Sequence, residues 1–122
     1  MIANQISTIK ILIAVLALCC VAQSHARAYG WFSNSTVSKF TDDDWKLFRK
    51  TVREALDNAE NNTKLTWHNP ATGHSGSVQP LNTFEKNDMI CRKTRVFNKT
   101  TEDSATQVHV LCKQDGKWKV AP

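Results

Sequence analysis

One helical stretch followed by five short β-type segments constrains what this 122-residue chain can fold into. From Trp45 to Ala59 the apolar side chains recur at spacings of three and four, which places them on one side of an α-helix. Thr41 is a good N-cap, and residues 42–44 are all Asp, which suits the positive end of a helix dipole. We therefore predict an amphipathic helix that begins near Thr41, ends near residue 61 and packs its apolar side on a sheet.

The segments after this helix are rich in β-branched and aromatic residues and are separated by turn-forming residues. Five strands are predicted, over residues 64–68, 75–84, 89–97, 105–113 and 117–121. The connections are short enough for hairpins, which predicts an antiparallel β-meander. Pro80 cannot donate a ladder hydrogen bond, so it predicts an edge or a bulge in the second strand. The predicted fold class is α+β, with one helix packed on about five antiparallel strands.

The N-terminal segment is typical of a signal peptide. Lys10 precedes an unbroken apolar run over residues 11–22, and residues 26–28 read Ala-Arg-Ala, which suits a signal peptidase site. The run is shorter than the roughly 18 residues that favour a membrane-spanning helix, so no transmembrane helix is expected in the mature chain. The predicted organisation is a cleaved signal peptide (1–28), a flexible tether rich in Ser, Thr and Asn (29–40) and one folded domain (41–122).

Cys19 provides an alternative to soluble release. Residues 16–19 read Leu-Ala-Leu-Cys, which has the upstream Leu of a lipoprotein signal, but the bulky Leu18 stands where a small residue is usual. Cleavage after Ala28 is preferred, and a lipid anchor on Cys19 is the alternative.

Cleavage after Ala28 leaves Cys91 and Cys112 as the two cysteines of the mature chain. An even pair in an oxidising compartment predicts a disulfide. If Cys91 lies opposite Cys112 in an antiparallel pair, the centre of the connection falls between Thr101 and Glu102, where the sequence predicts a loop. Spacing and turn composition therefore agree that the third and fourth strands are neighbours.

The net charge of the mature chain is modest. The full chain has 16 Lys and Arg and 11 Asp and Glu, and removal of Lys10 and Arg27 leaves 14 − 11 = +3. These cations are scattered along the sequence without runs or interleaved aromatic residues, so no nucleic-acid partner is expected. A solvated surface explains this charge better than attraction to anionic lipid or cell-wall polymer.

The sequence offers no catalytic residues. It has no nucleophile elbow and no glycine-rich phosphate loop, and we predict a protein that is not an enzyme and has no cofactor. His68 and His74 flank a turn but lack a third ligand, so no metal site is predicted. The candidate binding site is a recognition surface at one end of the sheet, formed by Trp67, His68, His74 and Arg92.

Three segments carry a family resemblance. Residues 67–80 read WHNPATGHSGSVQP, Cys91-Arg92 follows, and residues 111–120 read LCKQDGKWKV. This order and spacing resembles the bacterial surface-antigen family, typified by the rickettsial seventeen-kilodalton outer-membrane antigen. The typical antigen also has a lipobox and a glycine zipper, whereas this chain has only four glycines in total.

The resemblance implies an exported cell-envelope protein of a Gram-negative bacterium, in the periplasm or outer membrane, with a structural or interaction role. Its expected partner is another envelope protein, a lipid or a cell-wall component. The alternative is a periplasmic ligand-binding or inhibitor module. Lysozyme is a poor partner for such a module, because both proteins are basic.

Overall fold

The computed structural model describes residues 34–121, and these residues form one α-helix and one five-stranded antiparallel sheet. The elements are α1 (Asp42–Asn58), β1 (Leu65–His68), β2 (Ser75–Lys86), β3 (Met89–Lys99), β4 (Ser104–Gln114) and β5 (Lys117–Val120). The strands lie in the order β1-β2-β3-β4-β5, which is a meander. The predicted α+β fold is confirmed. The predicted signal peptide, its cleavage site and Cys19 lie outside the described residues.

The helix begins where the sequence predicts. The side chain of Thr41 accepts a hydrogen bond from the backbone of Asp44 (3.2 Å), and the Asp44 carboxylate accepts one from the backbone of Thr41 (2.8 Å), which completes a capping box. The helix ends at Asn58, three residues before the predicted end. Its apolar stripe meets the sheet in one core, formed by Phe48, Val52, Ala55, Leu56, Trp67, Val78, Val96 and Leu111.

The helix covers one face of the sheet. Alternate residues along each strand point to opposite faces, so the strand residues of this core define the helix-facing side. We call the opposite side the outer face. On β3 the outer face carries Cys91, Lys93, Arg95, Phe97 and Lys99.

A bulge interrupts β2 where Pro80 predicts an irregularity. The pairing with β3 shifts register between Pro80 and Asn82. β1 pairs with β2 only as far as Val78, so Pro80 lies beyond the end of its neighbour on that side. Its carbonyl accepts a hydrogen bond from the backbone of Asn62 (2.6 Å), which joins the segment after the helix to β2.

The last hairpin, between β4 and β5, is regular. Asp115 and Gly116 both have positive φ angles (52° and 74°), as a two-residue type I′ turn requires. Cys112 consequently pairs with Lys119, and no register shift occurs between β4 and β5. Trp118 therefore lies on the helix-facing side and packs against the core.

Residues 34–40 differ from the predicted flexible tether over 29–40. They include a 3₁₀ turn (Val37–Lys39), and Thr36 and Val37 are 1% and 4% exposed. The Phe40 ring lies 5.2 Å from the ring of Trp67. This part of the predicted tether packs on the domain because Val37 and Phe40 bury apolar side chains there, although most of the surrounding residues are polar. Residues 29–33 lie outside the described residues.

The predicted disulfide joins Cys91 and Cys112, which lie directly opposite each other on β3 and β4. We expect its reduction to destabilise the domain by about 3 kcal/mol, the chain-entropy estimate for a loop of about 20 residues. Thermal unfolding with and without reductant measures this change. A Cys91→Ala/Cys112→Ala variant is the control, since reductant should leave its melting temperature unchanged. Alkylation of either cysteine in unreduced, unfolded protein would contradict the expectation.

Candidate functional site

The predicted recognition surface does not form as one surface. Trp67 aligns through Gly76 with Asn98, whereas Arg92 lies six residues away along β3, or about 20 Å. Trp67, His74 and Arg92 are all buried, and only His68 is exposed. These three residues are unavailable for recognition because each of them holds two elements of the fold together.

Trp67 is a core residue. It is 4% exposed, and its ring lies edge-on to that of Phe40. Gly76 lies beside it on β2, where a Cβ atom would come within 2.5 Å of both Trp67 Nε1 and Asn98 Oδ1. The absence of a side chain at Gly76 is therefore what allows the Trp67 indole to pack against the sheet.

His74 belongs to a buried polar cluster centred on Asp44, which is 0% exposed. Oδ2 of Asp44 accepts hydrogen bonds from the backbone of Thr41 (2.8 Å) and from Nδ1 of His74 (2.8 Å). Oδ1 accepts from Nδ2 of Asn69 (2.8 Å) and from Oγ1 of Thr72 (2.9 Å). An ionised carboxylate only accepts, so Nδ1 of His74 carries the proton. The cluster ties the start of α1 to the β1–β2 loop.

The hydrogen bonds to Asp44 decide its charge state. Burial alone raises the pKa of this carboxyl, but the bonds from Thr41, Asn69, His74 and Thr72 outweigh burial and lower the pKa to about 2. Asp44 is therefore ionised at neutral pH. All the strong acceptor sites of this carboxylate face protein donors, so it serves as an anchor for the loop.

Arg92 holds the other end of the helix. It is 7% exposed, and burial lowers its pKa. Its guanidinium donates five hydrogen bonds. Nη1 donates to the carbonyls of Ala55 (3.0 Å) and Leu56 (2.9 Å), and Nη2 donates to the carbonyl of Ala59 (2.7 Å). Nη2 also donates to Oδ1 of Asn61 (3.1 Å), and Nε donates to Oγ1 of Thr83 (3.0 Å). The last carbonyls of a helix lack partners within it and carry partial negative charge, so the Arg92 guanidinium caps α1.

Two open grooves lie on the surface of the described part. One of about 410 Å³ borders the exposed His68 and is lined by Lys64, Thr66, Ser75, Ser77 and Phe97 among others. The other, of about 310 Å³, lies where Trp118 Nε1 donates to Oδ1 of Asp57 (2.8 Å). The hydrogen bond from Trp118 is the main cause that lowers the pKa of Asp57.

Neither a metal cluster nor a membrane-spanning helix occurs within residues 34–121. No group of three or more His, Cys, Asp or Glu side chains there could hold a metal ion. No helix in that range combines the length and the apolar character that crossing a membrane requires.

The low pKa of Asp44 predicts an acid-labile contribution to stability. The pKa rises to its ordinary value of 3.8 on unfolding, so the contribution is complete above about pH 4 and is lost as the pH falls towards 2. Its size is about 2 kcal/mol. We expect the stability difference between wild type and Asp44→Asn, measured by urea unfolding, to shrink by about this amount between pH 5 and pH 2. A difference independent of pH would contradict the role given to Asp44.

Because Arg92 caps α1 and Arg95 does not, we expect these two arginines of β3 to differ in their contribution to the free energy of unfolding. Arg92→Met removes the guanidinium donors from the carbonyls at the end of α1 and should cost about 2–4 kcal/mol in free energy of unfolding. Arg95 is exposed on the outer face, so Arg95→Met should cost less than about 0.5 kcal/mol. Urea unfolding of the two variants tests the assignment, and equal costs would show that Arg92 does not cap α1.

Comparison with known proteins places the chain in a family. The family model described as 17 kDa outer membrane surface antigen matches residues 54–119, which is more than half of the chain. The match runs from the second half of α1 to β5. No curated protein and no solved structure matches the chain. The resemblance is confirmed: the chain belongs to the family of 17 kDa outer membrane surface antigens, and this membership indicates an envelope-associated protein.

Proposed function

We propose that this protein is a non-enzymatic interaction component of the cell envelope. The observation that carries the proposal is the use of its buried polar groups. Asp44, His74 and Arg92 are the residues whose chemistry would suit a site, and all three are committed to holding α1 on the sheet.

Catalysis needs groups that reach a substrate. The Asp44 carboxylate is 0% exposed and accepts four hydrogen bonds from the protein. The guanidinium of Arg92 has five N–H donors, and five hydrogen bonds to other residues use them. Neither group has capacity left for a substrate, which supports a role through exposed surface.

The proposed location is the periplasm or the outer membrane, reached through export and cleavage before Tyr29. The family assignment supports the envelope as the compartment. A mature N-terminus at Tyr29, found by mass spectrometry, would distinguish soluble release from a lipid anchor on Cys19. The proposed partner is another envelope protein, a lipid or a cell-wall component.

Site-specific photocrosslinking in intact cells tests the interaction role. A photoreactive amino acid replaces Val108, which is 47% exposed on the outer face, or Glu54, which is exposed on the helix side. An interaction component should give a defined adduct with an envelope molecule from at least one position. Adducts from neither position would contradict the proposal. A muramidase as the captured partner, with inhibition in an activity assay, would favour the inhibitor alternative instead.

A further inference from the structure

Cations that are scattered in the sequence gather on the outer face of the sheet. Six basic residues have positions on this face, and all six are exposed: Lys86, Lys93, Arg95, Lys99, Lys117 and Lys119. Lys93, Arg95 and Lys99 lie on β3, where they and Phe97 occupy four successive outer-face positions. The outer face thus presents positive charge on β2, β3 and β5.

Acidic residues lie elsewhere. The eleven Asp and Glu of the chain lie on α1, in the segment after it, in the loops and turns, and at Glu85, whose position on β2 is helix-facing. The helix side therefore mixes both signs of charge, while none of the strand positions on the outer face is acidic. A surface with this segregation attracts anions.

The outer-face cations are also free to meet a partner. The ion pairs within residues 34–121 involve Lys39, Lys46, His74 and Lys113, none of which belongs to the six. The exposed Arg95 makes one long hydrogen bond to the half-buried Gln79 (3.4 Å).

Apolar side chains stand between these cations. Val108 lies beside Arg95 on the neighbouring strand and is 47% exposed, and Val110 lies beside Lys93 and is partly exposed. Phe84 and Phe97 are partly exposed on the same face. Lysine and arginine extend their charged ends towards headgroups while apolar side chains enter the interface, so this mixture suits a lipid surface.

We propose that the outer face docks on the surface of a membrane containing anionic lipids. The inference rests on the proposed function and names the partner class. A second copy of the chain fits the face less well, because two such faces would bring like charges together. The sheet face is broad and its cations lie on three strands, β2, β3 and β5, which matches a surface of many headgroups better than a single small anion.

Vesicle flotation of the exported, purified protein measures the docking. We expect binding to vesicles with about 30% phosphatidylglycerol and weak binding to phosphatidylcholine alone, since the attraction depends on anionic headgroups. Binding to the anionic vesicles should fall between about 50 mM and 500 mM NaCl, because salt screens exposed charges.

Two charge-matched variants assign the binding to the outer face. Lys93→Gln/Arg95→Gln should weaken partitioning about thirtyfold, since each cation near an anionic surface contributes about fivefold. Lys50→Gln/Arg53→Gln removes the same charge from the exposed side of α1 and should change partitioning by less than about threefold. Thermal melts establish that all variants are folded, and Lys117→Gln/Lys119→Gln provides a second outer-face pair.

Equal losses for the outer-face and helix pairs, or equal binding to both vesicle types, would overturn the inference. Loss of self-association on sedimentation of the outer-face variants, without loss of lipid binding, would assign the face to a second copy instead. If vesicles do not bind but a photoreactive residue at position 108 captures an envelope protein in cells, the docking proposal fails while the interaction role stands.

Discussion

The buried carboxylate of Asp44 is the interaction on which the arrangement of helix and sheet depends. Burial of an unpaired charge is costly, and this one is offset by donors from three separate places: the helix cap, the start of the β1–β2 loop and its end at His74. Moving α1 along the sheet would separate the carboxylate from the donors of the β1–β2 loop and leave it only the backbone N–H of Thr41. A helix held only by apolar contacts could slide, whereas these directional bonds fix one position.

Arg92 plays the complementary role at the other end of α1. The N-terminal end of the helix is held through an anion and the C-terminal end through a cation, and both signs match the helix dipole. The family match begins at residue 54, so it includes Arg92 and its carbonyl partners but not Asp44. The N-terminal anchor of this chain thus joins a residue outside the matched segment to loop residues inside it.

Local patterns predicted most of the fold from sequence. The spacing of apolar residues predicted α1, and the cysteine spacing predicted the pairing of β3 with β4. The candidate site could not be predicted in this way. Asp44 stands in a run of three aspartates, and its side-chain partners lie 25 to 30 residues away, so sequence alone does not single it out. Arg92 and His74 resemble surface residues until the helix is docked over them.

The charged outer face escaped prediction for a different reason, since it depends on strand register. Helix-facing residues lie between Lys93, Arg95 and Lys99 in the sequence, and Phe97 takes one outer-face position among them. No run of charge therefore appears in the chain. The bulge after Pro80 completes the pattern by shifting every later residue of β2 to the opposite face. In an unbroken strand Glu85 would lie on the outer face and Lys86 would face the helix. Because Pro80 has no N–H to contribute to the ladder, a single backbone irregularity there both interrupts the pairing and separates the charges of β2.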